Sequence, residues 1–576
     1  MTEAPERPSR VDGRRTRRAT PDLPRVLTDL RHGGHVTGDE LPAVDPTRRR
    51  GDAPRWAQIV ETSTPFGYMF DDLRGLFPAA HLPDRPAAAV VASLKALGTA
   101  MVEQPGDPGS ADSAIPPIYT YWGQFVDHDL TANTDREDDI GVTDLPLQPL
   151  QPEKVVRLLR NLREPRLNLD SVYGNGPDFS GGPDQVPYDG DRLVIGPLTP
   201  VVSPPGPPGQ EPLIGDDLPR ENQKAQIGDG RNDENLIVAQ LHLAFLKFHN
   251  AVLDWFAANP TSPVTGDGSF EQARQLVEWH YQWITVHDFL KTIADPAVVD
   301  GLLTGTIPPR FDLAPDTPPD EVFMPLEFSV AAYRFGHSMV RAGYDWNTNF
   351  GAPGTNPDRS PSATFELLFL FTGGGGLAGS PTLPDNWPAQ FERLTGFEPR
   401  PPGTPDAVPP RFARKIDTHV APPLGNLANE ANDETSDRIQ RILKRLAVRN
   451  LLRGYRLAIP TGQAVARSLG IPPMPRSQLL TGEDRPTPVD DALVDGGFLE
   501  DTPLWFYVLR EAEALENGER LGPVGSRIVA ETIIGQLRAD PTSFLNQNWD
   551  PSQGVTIGSD PVDTIVSFLR FAGVHR

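Results

Sequence analysis

Apolar positions recur three and four residues apart in several stretches of this 576-residue chain. That spacing places them on one face of a helix. Ile118 to Leu130 is one such stretch. Asn235 to Phe256 is another, with Leu236, Leu243, Leu246 and Leu253 on recurring faces. Gln272 to Ile293 carries Trp279, Trp283, Ile284 and Phe289. Phe323–Val340, Asp437–Tyr455, Leu504–Leu515 and Ser526–Leu537 extend the pattern. Residues 196–220, with Pro204, Pro205, Pro207 and Pro208, read as an extended loop, as do 350–363, 372–385 and 396–412. Alternating strand patterns are few and no repeat of fixed period occurs. The expectation is a mainly α protein with long Pro/Gly-rich loops and little β. Residues 1–55 are rich in Arg, Asp, Pro and Gly and lack periodicity, so they read as a mobile arm ahead of one large domain over 56–576.

Composition narrows the chemistry. The 64 prolines and 52 glycines fit helices separated by extended segments, while 38% hydrophobic residues suffice for a substantial core. A net charge of −24 argues against nucleic acid or an anionic membrane as partner. The chain has no cysteine, which excludes disulfides, thiolate nucleophiles, iron–sulfur clusters, Cys-ligated zinc and thioether-attached haem. No stretch of about 18 uninterrupted apolar residues is present, so no membrane span is expected. Arg14, Arg15, Arg17 and Arg18 lack a following apolar segment, so no secretory signal is expected and a soluble protein is. The run Gly373–Gly376 lacks the Lys-Ser/Thr of a phosphate loop.

Four short segments combine residue types that carry chemistry. In Tyr121–Asp129, Gln124 and His128 stand at i and i+4 and Asp127 at i+3, so a His, an amide and a carboxylate converge on one helix face. Asp129 points about 100° away from His128. Gly228–Asn235 opens the long helix and pairs Arg231 with Glu234 at i, i+3, a pattern that also suits a helix cap. In Tyr333–Met339, Gly336 removes side-chain bulk beside His337, so a flat cofactor has room to approach, and Arg334 can reach an acidic group on it. A packed core histidine is the alternative reading there. In Arg449–Tyr455, Asn450 and Arg453 share a face, and an Asn carbonyl can fix an imidazole tautomer. His242 and His249, seven apart without His-Glu-x-x-His, read as packing and capping residues, as do His280 and His287.

Taken in this order, with Asp170-Ser171-Val172-Tyr173-Gly174 between them, the segments resemble the animal-type haem peroxidases of the peroxidase–cyclooxygenase superfamily, in particular their soluble bacterial members. The resemblance runs from about Ile118 to Phe544. It implies haem b as cofactor and H2O2 as oxidant. His128 would be the distal base and then acid, Arg231 the distal arginine, and Gln124 the residue ordering water or a small anion over the iron. His337 would ligate the iron, Asn450 would hold its far nitrogen, and Arg334 and Arg453 would pair with the propionates. Asp127 and Glu234 match carboxylates that the family can esterify to haem methyl groups. Asn235 stands where the family's sulfonium-forming methionine would be, so that link cannot form. Asp129 and the loop Glu164, Arg166, Asn168 and Asp170 match a calcium site. Glu164 replaces the usual Thr and Asn168 the usual Asp.

The implied turnover reduces H2O2 through a ferryl-oxo porphyrin radical and oxidises a small organic donor or a halide. A fatty-acid dioxygenase of the same superfamily is the first alternative. It needs a tyrosine three residues before the proximal histidine, where this chain has Arg334, and an α-helical Tyr333 points about 100° away. A haem-binding protein without turnover is the second alternative, and it needs no complete set of Gln124, His128 and Arg231.

Overall fold

In the computed structural model, residues 64–576 are described apart from 83–84, 105–111, 133–146, 178–185, 202–210, 319–320, 352–361, 397–410, 428–441, 443 and 483–485. The arm expected over 1–55 lies outside the described residues, as do the larger parts of the loops at 350–363 and 396–412 and the start of the helix expected from Asp437.

The mainly α expectation holds. The principal helices are α1 (Ala87–Ala100), α2 (Pro117–Leu130), α3 (Leu236–Ala258), α4 (Phe270–Ile284), α5 (Phe365–Leu370), α6 (Leu446–Arg456), α7 (Leu504–Glu516), α8 (Pro523–Ala539) and α9 (Ile565–Phe571). Strands are short. The strand β1 (Thr64–Gly67) pairs antiparallel with β2 (Arg160–Asn161) and parallel with β3 (Met324–Pro325). The other described strands are two-residue ribbons.

The centre is α3. It has the length and mean hydropathy, 1.4, of a bilayer span, but 78% of that apolar window is buried inside the fold. Apolarity all round is what a central core helix requires. Phe245 of α3 stacks on Phe125 of α2 with centroids 4.4 Å apart, and Phe248 on Phe568 of α9 at 4.3 Å. These rings anchor α2, whose Pro117 at the first helical position needs no N–H partner.

Two expected helices depart from regular geometry. After Ile284, α4 passes into a π turn over Thr285–Leu290 before ending at Ile293. The π turn serves α2: Trp122 Nε1 donates to Thr285 Oγ1 (3.2 Å), and Tyr119 donates its hydroxyl to Asp288 (2.6 Å). The single helix expected over Phe323–Val340 is instead β3, one helical turn at Leu326–Ser329, a break at Ala331 (φ −131°, ψ −82°) and a 3₁₀ segment Ala332–His337. Pro325 supplies no N–H, and the buried Glu327 carboxylate is drawn to the N–H groups of Met69 (2.9 Å) and Phe70 (3.3 Å). Tertiary bonds outweigh helical period there.

Candidate functional site

Two connected compartments lie between α2 and the 3₁₀ segment that carries His337. The larger is lined by Gln124, Glu234, Asn235, His337, Val340 and Arg449 among others. The smaller is lined by Gly123, Gln124 and Asp127 and by the run Arg334 to His337. Gln124, His337 and Val340 border both, so the two form one slot. A Cβ built on Gly336 meets nothing within 4 Å, as expected of a position facing open space. Gln124, Asp127, Glu234, Arg334 and His337 are all partly accessible, whereas most of their neighbours in sequence are buried.

His337 is held from behind. The Asn450 amide lies 2.9 Å from its Nδ1, and the Asn450 Oδ1 accepts from Arg334 Nη1 at 3.5 Å. An Nδ1–H tautomer of His337 would turn the amide oxygen toward the ring. Asn450 sits on the buried polar face of α6, with Arg449 and Arg453 one turn either side of one another. Burial first, and then the charges of Arg334, Arg449 and Arg453, push the His337 imidazolium well below its ordinary pKa. A neutral imidazole results, which is the form that ligates metals.

On the opposite wall, His128 lies one turn past Gln124 and is fully buried. It is not among the residues bordering the two compartments. Its Nδ1 is 2.7 Å from Asn232 Oδ1, and its carbonyl accepts from Arg231 Nη2 at 2.8 Å. Burial, aided by the Arg231 charge, lowers its pKa to about 3. Arg231 is oriented by Asp229, which also accepts from Arg163 Nη2 at 2.5 Å. Arg163 in turn pairs with Asp170 at 3.0 Å. A buried row of alternating charges thus runs Asp170–Arg163–Asp229–Arg231. Burial alone would raise the Asp229 pKa, but Arg231 and Arg163 hold it well below the usual range.

Asp127 and Glu234 border opposite compartments of the slot. Asp127 accepts from Thr131 Oγ1 at 2.9 Å. Burial pushes its pKa up against the pull of Arg334 and Arg231. Tyr333 departs from the α-helical expectation. In the 3₁₀ segment it borders the smaller compartment, stacks on Phe328 at 4.4 Å and donates its hydroxyl to the Gly123 carbonyl at 3.1 Å.

The loop expected to bind calcium does fold against Asp129. The fully buried Asp129 carboxylate accepts from Leu169 N–H (3.2 Å) and Ser171 Oγ (3.3 Å). Asp170 is paired with Arg163, Asn168 Nδ2 donates to Glu164 Oε2 (3.1 Å), and Arg166 N–H donates to the Glu164 carbonyl (2.8 Å). Among the described residues no group of three or more His, Asp or Glu side chains is arranged to hold a metal. Burial, then repulsion from Asp170, raises Asp129 well above the ordinary carboxylate pKa.

Sequence reasoning missed Arg163, Asp229, Asn232 and Arg449. Only Arg449 carried a usable signal, its i, i+4 spacing to Arg453 on a face already marked by Asn450. His242 and His249 are core residues, bonded to Asn232 (3.0 Å) and Tyr173 (3.1 Å) respectively, and His280 bonds the Val562 carbonyl (2.7 Å).

Residues 203–365 match the family model "Animal haem peroxidase". That stretch contains Arg231, Glu234, Arg334 and His337. A "Peroxidase-like protein" of Margaritifera margaritifera is 26% identical over 285 residues, 42% of this chain. The aligned stretch spans only 33% of that relative. The fold is shared with Peroxidase A from Dictyostelium discoideum (TM-score 0.55, 15% identity, 89% of this chain and 94% of that one). It is also shared with Oryza sativa fatty acid alpha-dioxygenase (TM-score 0.53, 16% identity, 89% and 78%). Residues 203–365 are thus similar to an animal haem peroxidase domain, and 89% of the chain shares a fold found both in a peroxidase and in a fatty acid alpha-dioxygenase.

Proposed function

We propose that this chain is a haem peroxidase that reduces H2O2 and oxidises a small organic donor or a halide, with residues 56–576 as its catalytic domain. The single observation that carries the reading is the slot itself: His337, backed by Asn450, faces Gln124 and α2 across open space. Gly336 without a Cβ, a neutral His337 and the arginines 334, 449 and 453 fit a flat, dianionic, iron-bearing group. His337 would coordinate the iron of haem b, Asn450 would fix the imidazole tautomer, and Arg334 and Arg453 would pair with the propionates. Bound haem would supply the redox chemistry, taking oxidising equivalents from peroxide and passing them to the donor.

The remaining roles belong to the chain. Gln124 would order water or a small anion in the slot. Because burial keeps His128 neutral at ordinary pH, its unprotonated ring nitrogen would take a proton from H2O2 and return it to the leaving oxygen. Arg231, fixed by Asp229, would favour negative charge on that oxygen. The decisive measurement is the absorption spectrum during rapid mixing with H2O2, together with a guaiacol or ABTS assay. A Soret band that shifts on mixing, with donor oxidation, supports the reading. A haem-loaded protein inert to peroxide overturns it and leaves a haem-binding protein without turnover.

Asp127 lines the smaller compartment and Glu234 the larger, so both carboxylates would be available for ester links to a porphyrin in the slot. Acid-acetone extraction should then leave haem on peroxide-treated wild type and release it from the double variant Asp127→Val, Glu234→Gln. Complete extraction from wild type refutes the esters. For calcium, the two desolvated carboxylates Asp129 and Asp170 share one nearby cation, Arg163, and so favour a further positive charge. Binding there would have to open the Glu164–Asn168 contact and recruit the Arg166 carbonyl. Elemental analysis that finds no calcium in purified protein rejects that site.

The dioxygenase reading ranks second on one observation. Arg334 occupies the position that would need a tyrosine, and the Tyr333 hydroxyl is spent on the Gly123 carbonyl. Oxygen uptake with linoleate or arachidonate that disappears in Tyr333→Phe would reverse the ranking.

A further inference from the structure

His128 heads a chain of three fully buried polar side chains from three elements, α2, the 3₁₀ turn Gly230–Asp233 and α3. His128 Nδ1 is 2.7 Å from Asn232 Oδ1, and Asn232 Nδ2 is 3.0 Å from His242 Nδ1. All three residues have no exposed surface. His242 stands on α3, ten residues beyond Asn232, and its Nε2 makes no hydrogen bond. It packs edge-on against Phe125 of α2 at 5.9 Å.

An amide between two imidazoles has a direction. Its oxygen only accepts and its nitrogen only donates. With the oxygen on His128, that ring must carry its proton on Nδ1, which makes Nε2 its unprotonated nitrogen. The nitrogen then donates to the bare Nδ1 of His242, which carries its own proton on Nε2. Rotating the amide reverses everything. His128 would then receive a hydrogen bond at Nδ1 and carry its proton on Nε2, so that Nε2 could no longer accept a proton. Neither ring gains from a charge here, because burial holds both neutral.

We propose that Asn232 is a positioning residue that locks His128 in the Nδ1–H tautomer, and that His242 sets the direction of the lock by accepting from the amide. The inference rests on His128 being the proton acceptor for peroxide. Burial makes the lock effective: no water competes for the amide, and an amide rotated while both rings keep their tautomers would leave a buried donor facing a donor, at a cost of about 1–3 kcal/mol.

The test separates the lock from the activity. In haem-free protein labelled with 15N-histidine, the His128 signals are assigned by their loss in His128→Gln. Wild type should show a protonated Nδ1 and a bare Nε2 for His128, and the reverse for His242. Asn232→Leu keeps the volume and removes the amide. His128 should then lose its single tautomer, and the loaded protein should react with H2O2 about 10–100-fold more slowly. Asn232→Asp, an acceptor on both sides, should restore the His128 Nδ1–H and most of the rate, while shifting the His242 proton to Nδ1. His242→Phe should leave haem uptake intact while His128 shows mixed tautomers. The proposal is overturned if wild-type His128 carries its proton on Nε2. It is equally overturned if Asn232→Leu keeps both the Nδ1–H signal and a peroxide rate within twofold of wild type. A wild type that shows the expected tautomers yet ignores peroxide sinks the peroxidase reading and leaves the lock standing.

Discussion

Replacing Gly98 with Ala, far from the slot, should loosen the support of His337. Gly98 is buried on α1 where that helix meets α6. A Cβ there would lie 2.7 Å from Val448 N, 2.8 Å from Val448 Cα and 3.0 Å from the Ala447 carbonyl carbon. All three are backbone atoms, so no side-chain rotamer relieves the overlap. Reaching the optimal separation of roughly 3.5–4.0 Å requires the helices to part by about 0.8 Å. Ala favours a helix over Gly by up to ~1 kcal/mol, while overpacking of this kind costs about 1–3 kcal/mol. The helix gain offsets the clash only in part, leaving a net loss of up to about 2 kcal/mol. The same displacement carries Asn450, now 2.9 Å from His337 Nδ1, toward the limit of a hydrogen bond. Urea unfolding of the haem-free protein reads the stability, and haem titration should show affinity weakened several-fold. Gly454→Ala is the control on α6 itself: its Cβ meets nothing within 4 Å, so it should be neutral or stabilising by up to ~1 kcal/mol. A Gly98→Ala protein as stable as wild type, with unchanged haem affinity, refutes the reasoning.

Other outcomes test the buried charges. Arg163→Leu strands Asp170 and Asp229 without their shared guanidinium, so about 3–5 kcal/mol should be lost in urea unfolding, and a loss under ~1 kcal/mol would show that the charge row contributes little. Burial raises the Glu511 pKa to about 8, against the hydrogen bonds it accepts from Val524 and Gly525. Its folded value exceeds its unfolded one, so its contribution is present below pH ~4.5 and lost as pH rises through about 8. Glu511→Gln should therefore gain on wild type by about 3–5 kcal/mol between pH 5 and 8, and a pH-independent difference contradicts the assignment. If the loop at Glu164–Asp170 binds calcium, chelation should lower Tm and added calcium restore it, whereas Asp129→Asn should make Tm indifferent to either.

Much of the site was legible because helical spacing is local. Gln124, Asp127 and His128 sit on one turn, and their neighbourhood follows from residue number alone. The same holds for Asn450 and Arg453. Where tertiary bonds override period, local reading failed. The 3₁₀ segment at Ala332–His337 replaced an expected helix, and with it the orientation of Tyr333 changed. Glu327, drawn to the amides after β1, was the agent, and nothing near it in sequence announces that partner.

By itself, the sequence determined that this chain is a helical, cysteine-free protein whose ordered motifs match haem peroxidases, since composition and short spacing survive without coordinates. Only the tertiary structure decided that Arg163 bridges Asp170 and Asp229, that Asn232 sits between His128 and His242, and that α6 stands behind His337. Arg163 and Asp170 lie seven residues apart, but His128 and Asn232 are 104 apart and Asn450 and His337 are 113 apart. Their pairing follows from which helices bury their apolar faces together, a property of the packed core rather than of any one segment.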